Sequence, residues 1–199
     1  ALVPVAFAAA GFLLRGDQRR RANAAPCFWA AGFSLISAAN SSTWPWFVWT
    51  AAWSLSGYLA VPIVVLLLRY PGERITGRFD RVVPWLTGAW ASGWAAVGSA
   101  VLLAGQGAIS LSDQASDRAW SIAGWAFVPV AVACAVGVAG RVVRARGLAR
   151  RELVPVVVAA VASAATYTLW FSSFTSSLQG LANWCLLLAP VAFLVAAVQ

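Results

Sequence analysis

Residues 66–81 read LLLRYPGERITGRFDR. Three leucines run into four arginines, a glutamate and an aspartate, gathered around a Pro-Gly pair. The sequence on both sides is nearly free of charge. The stretch is either a polar site on a water-facing domain or the point where an apolar chain leaves a membrane, and that choice sets the fold.

Composition favours the membrane. The chain has 199 residues, of which 61% are apolar and 10% charged. A soluble domain carries about 25% charged residues. A surface so poor in charge cannot face water all round, so lipid must be much of its solvent. The chain is too long to be a signal peptide. It starts at Ala1 and has no Met, which reads as a fragment or a trimmed chain. Its Arg-only, Ala- and Trp-rich composition points to a GC-rich bacterial genome.

A spanning helix needs about 20 apolar residues for a hydrocarbon core about 30 Å thick. Working outward from residue 68, the apolar runs predict an all-α membrane bundle of seven spans: 1–14, 22–39, 44–68, 82–104, 119–140, 153–171 and 181–198. All 199 residues form one domain on this reading.

The arginines orient it. Arg15, Arg19, Arg20 and Arg21 fall between spans one and two. Arg69, Arg74, Arg78 and Arg81 fall between three and four, and Arg141, Arg144, Arg146, Arg150 and Arg151 between five and six. Only Arg118 lies on the other side. The predicted topology has the N-terminus outside and the C-terminus cytoplasmic, in a bacterial inner membrane. The basic loops would orient the chain and hold anionic headgroups, each arginine adding about 1 kcal/mol. In a soluble protein the net charge of +8 would suggest nucleic acid. Confined to short loops, it predicts none.

The prolines show a pattern. Pro4, Pro62, Pro129 and Pro190 fall within inward-running spans. Pro26, Pro84 and Pro155 fall near the start of outward-running spans, each followed eight residues later by a serine: Ser34, Ser92 and Ser163. A first-turn proline is cheap, and a mid-span proline bends the helix. The order suggests three related hairpins. Small residues predict the packing seams: Gly88, Ser92 and Ala96 in span four, Gly137 in span five and Ser163 in span six.

What is missing limits the chemistry. No predicted span contains Asp, Glu, Lys, Arg or His. Proton pumps, ion-coupled transporters, voltage sensors and retinal proteins normally need such groups. An intramembrane hydrolase needs a base or a metal. No catalytic residue, metal site or cofactor is therefore expected. Cys27, Cys134 and Cys185 have no C-x-x-C spacing and read as apolar fillers. The predicted outer loops 40–43, 106–118 and 172–180 are too short to fold alone, so any cue must be read in the membrane, at its rim or from inside. The candidate pocket for an apolar ligand or lipid is aromatic: Trp49, Trp53, Tyr58, Trp125, Tyr167, Trp170 and Phe171.

Three stretches carry a family resemblance. NAAPCFWAAGFSLI (23–36) resembles an N-P-x-G-W opening of a second span. LLLRYPGERITGRFDRVVPWL (66–86) resembles an L-L-L-x-F-P-D-G-R signature, with Glu73 in place of its Asp-Gly. VVRARGLARRELVPVVVAA (142–160) resembles an R-x-R-R-A-x-G-x-E-R stretch leading into a span. In this order they resemble the N-terminal multi-span input region of actinobacterial sensor histidine kinases, whose partner regulators carry helix-turn-helix output domains. The resemblance implies a signal-input module that relays an apolar or membrane-borne cue, a possible homodimer, and a cytoplasmic kinase output or response regulator as partner. The chain itself lacks a phospho-acceptor histidine, so it would not be the enzyme; a longer gene product would be the kinase. Two alternatives fit the residues: a small-molecule transporter or channel-like bundle, and a structural subunit of a membrane complex.

Overall fold

A proline at the third position of a helix costs little, because the first four N–H groups of any helix have no partner within it. Five helices in the computed structural model carry one there. They are α1 (Leu2–Gly16) with Pro4, α2 (Ala24–Ala38) with Pro26, α4 (Ala60–Arg69) with Pro62, α7 (Phe127–Arg144) with Pro129, and α8 (Leu153–Ala164) with Pro155. The structure describes residues 2–18, 20–38, 45–70, 74, 75, 77–145, 147, 153–164, 188, 190–192, 194, 195 and 198. Among these residues every regular element is helical.

The remaining elements are α3 (Trp46–Ser56), α5 (Arg78–Gly105) and α6 (Asp113–Trp125). A 3-10 turn, Gly57–Leu59, joins α3 to α4, and the single residue Ala126 separates α6 from α7. The prolines expected to bend continuous spans therefore begin the second half of two interrupted helices. The missing N–H of Pro62 or Pro129 falls where the ladder is already restarting. Pro84 goes the other way. Helix α5 starts at Arg78, earlier than the apolar run, so Pro84 lies inside it.

Three stretches are long and apolar enough to cross a membrane: Trp46–Arg69, Arg78–Gly105 and Asp113–Arg144, of 24, 28 and 32 residues. At 1.5 Å per residue even the first spans about 36 Å. Helices α1 and α8 are apolar but shorter. The surface carries large apolar side chains, with Trp85 81%, Val143 83% and Ile122 71% exposed. Apolar surface on this scale marks contact with lipid or another protein.

Two cores hold the helices. The larger gathers Phe7 and Leu14 of α1, Cys27 of α2, Ile63 and Leu66 of α4, Val83 of α5, Cys134 of α7, and Val156 and Ala159 of α8. The smaller is aromatic and surrounds Trp90 and Trp94 of α5. Cys27 and Cys134 are buried free thiols, as apolar fillers would be; Cys185 lies outside the described residues.

Candidate functional site

Three features stand out: an aromatic joint, an arginine latch and an aliphatic cavity.

The joint forms where α5 crosses both interrupted helices. Trp90 Nε1 donates to the Ala123 carbonyl of α6 at 2.7 Å. Trp94 Nε1 donates to the Trp53 carbonyl of α3 at 3.0 Å. Each acceptor lies in the last turn before a break, where helical carbonyls lose their backbone partners; the Trp53 carbonyl accepts from Ser56 Oγ as well, at 2.6 Å. One turn of α5 thus holds both breaks. The rings pack closely: Trp90 on Phe127 and Trp94 on Trp120 have centroids 4.6 Å apart, and Trp53 lies 5.8 Å from Trp94. Gly57 lets this happen, since a Cβ there would meet Trp94 Cδ1 at 2.9 Å. The Tyr58 and Ser92 hydroxyls bond across the helices at 3.0 Å.

The latch lies at the far end of α4. Proline at 71 has no N–H, so the Leu67 carbonyl lacks its normal helical donor. Arg141 of α7 supplies one. Its Nη1 donates to Leu67 O at 3.0 Å, and its Nη2 to Tyr70 O at 2.6 Å and to Arg69 O at 3.5 Å. The planar guanidinium fork suits several acceptors at once. Tyr70 is buried beneath Arg20, whose guanidinium carbon sits 5.6 Å from its ring centroid. Buried Asp80, in the first turn of α5, lies against α7: a Cβ at Gly137 would meet its Oδ1 at 3.0 Å. Its carboxylate favours the helix N-terminus, and its charge reaches Arg141 one turn further along α7.

The cavity opens between α4, α7 and α8. It measures about 390 Å³, and its walls are valine, alanine, leucine and isoleucine with Phe127, Cys134 and Ser163. Several hydroxyls in the helices close on the carbonyl four residues back, as Thr50, Ser54, Thr87, Ser92 and Ser99 do. That is the usual way a helix satisfies them. Ser163 Oγ, buried at 6% exposure, has no hydrogen-bond partner, and neither has Ser34 Oγ.

The structure distributes the sequence-predicted residues unevenly. Trp53 and Tyr58 join the aromatic joint. Trp125 points away, 58% exposed. The Trp49 side chain, and Tyr167, Trp170 and Phe171, lie outside the described residues. Of the arginines, Arg74, Arg78, Arg81 and Arg144 are exposed and Arg69 and Arg141 half-buried, while 146, 150 and 151 lie outside the described residues. Arg81 bonds the Ile75 carbonyl at 3.2 Å and Arg144 that of Gly140 at 2.7 Å. Gly137 and Ser163 are buried, but the Gly88-Ser92-Ala96 stripe is not the packed face of α5. That face runs through Val83, Thr87, Trp90, Ala91, Trp94 and Gly98, because the two indole bonds fix the rotation of the helix. At Gly98 a Cβ would overlap Ser54.

Sequence reasoning missed Trp90 and Trp94. Their signal was an i, i+4 tryptophan pair in a chain with two further proline-marked spans to serve. It treated Arg141 as an orientation charge only; the signal for its second role was Pro71, four residues after Leu67.

No family model, no curated protein and no solved structure matches this chain.

Proposed function

We propose that the chain is a membrane-embedded signal-input module. It crosses a bacterial inner membrane seven times, with its N-terminus outside and its C-terminus cytoplasmic, and relays a membrane-borne or apolar cue to a kinase output. The observation that carries the reading is the aromatic joint. Two helices that would run inward are each broken, and both breaks are tied to the same turn of α5 through Trp90 and Trp94. A tilt of one half-helix must pass to the other, which is what a relay needs and a static anchor does not. Discrete breaks are the usual places where membrane helices bend. The bias of thirteen of fourteen arginines to one set of loops supports the direction. The order of the three sequence stretches supports the kinase output.

Two measurements test this. Alkaline phosphatase fused after residue 109 should be active, and fusions after residues 18, 74 and 147 silent. Residues 1–199 joined through Gln199 to a cytoplasmic histidine-kinase output should show altered phosphorylation in the Trp90→Phe, Trp94→Phe double variant. Unchanged output from a fully inserted double variant would overturn the relay.

A further inference from the structure

Among the described residues Asp80 is the only buried carboxylate, at 7% exposure, and no ion pair or side-chain hydrogen bond reaches it. Its Oδ2 lies beside Gly77, where a Cβ would stand 2.9 Å away, and its Oδ1 beside Gly137 of α7. Neither glycine has a side chain to offer it. Arg141 stands four residues beyond Gly137, on the same face of α7. Helical side chains lean toward the N-terminus, so a long one at 141 can cover the turn at Gly137. Arg141 instead reaches across to α4, to the Leu67, Arg69 and Tyr70 carbonyls. Arg20, Arg81 and Arg144 have acceptors of their own, on Asp17, Ile75 and Gly140.

Each arrangement open to Arg141 leaves something unmet. On α4 it leaves a buried carboxylate without a partner, which is costly. On Asp80 it would make the paired bonds that a guanidinium fork makes to a carboxylate. It would then give up three carbonyls at a helix end, which water can serve. Opposed costs of this kind make a two-state element. We propose that Arg141 is a two-position catch: it holds the end of α4 in the observed arrangement and passes to the Asp80 carboxylate in a second one, which frees the end of α4 and fastens α7 to α5 instead. The catch goes beyond the relay at the aromatic joint. It sits at the other end of α4 and needs no kinase output.

The test is amide hydrogen exchange on the full chain in phosphatidylcholine nanodiscs, read at Leu68–Tyr70. Asp80→Asn keeps the shape of the side chain and removes the competing charge. If Asp80 draws Arg141 away from α4, exchange at these amides should slow about threefold to tenfold in this variant, the worth of one hydrogen bond. A carboxylate that only steadied the latch would give the opposite sign, because its loss would quicken exchange. In Arg141→Gln the same amides should quicken, and adding Asp80→Asn to that variant should change nothing further. Exchange that is unchanged or faster in Asp80→Asn overturns the catch. Slowing that persists in the Arg141→Gln background overturns it too, since Asp80 would then act through another group. Asp80→Ser, smaller and also uncharged, gives the same reading if the asparagine variant does not fold. Loss of folded chain in both would make Asp80 a structural residue and overturn the second position. The output test of the tryptophan pair is independent of each of these results.

Discussion

The aromatic joint and the aliphatic cavity share α4 and α7, yet they are built on opposite terms. In the joint, carbonyls at both helix breaks accept from indole N–H groups, and the rings of α3, α5, α6 and α7 fill the space between them. At the cavity space is left open, and the buried Ser163 hydroxyl beside it has no hydrogen bond. Phe127 belongs to both, packing on Trp90 on one side and lining the cavity on the other. The lesson is that rigidity and vacancy sit one ring apart. A substitution that displaces the Phe127 ring would therefore alter both regions at once.

Mutations should separate the two regions. The largest effect is expected from Trp94→Ala, which removes a buried ring and a hydrogen bond together and should cost about 3–5 kcal/mol, read as loss of folded chain in mixed-micelle SDS unfolding. Trp94→Phe keeps most of the volume, so only the bond to Trp53 O is lost, at about 0.5–1.5 kcal/mol; equal losses from both variants would show that packing alone holds the joint. Between them falls Arg141→Gln, expected to cost about 1.5–3 kcal/mol by giving up charge-assisted bonds to the end of α4. Its opening should speed hydrogen exchange at residues near Tyr70 and leave Trp90 unaffected. Gly137→Ala should cost about 1–3 kcal/mol, because its methyl meets Leu68 and Asp80. The smallest effect is expected at the cavity: Ala135→Leu, at an exposed position of α7, should stay within about 0.5 kcal/mol of the parent. A large destabilisation there would mean that the space is closed in solution.

Much of the helix order was legible in the sequence, because an apolar run ending in arginines has few other readings. The junction at 66–81 located the end of α4 and the start of α5 within a few residues. The breaks were not legible. A proline in an apolar run looks the same whether it bends a helix or restarts one, and the difference at Pro62 and Pro129 depends on Trp94 and Trp90 holding the breaks from outside. Nor was the rotation of α5, since alternating small and aromatic residues leave two plausible faces. The cavity could not have been read at all: valine and alanine have the same pattern whether they touch a neighbour or line a gap. The aromatic residues were a visible signal, and two of them, Trp53 and Tyr58, do meet; Trp125, on the same reasoning, faces outward.

The Arg141 latch also sets a clock. Its donor and its nearest acceptor are 71 residues apart in the chain. At about 5–20 residues per second of synthesis, α4 is complete for about 4–14 s before Arg141 exists. On the proposed topology α4 would already be threaded into the bilayer by then, with the Leu67, Arg69 and Tyr70 carbonyls still unclaimed. Water or headgroups must hold them in the meantime, which keeps the end of α4 at the interface until α7 arrives to take them over. The order of making the helices is thereby written into the order of closing the bundle.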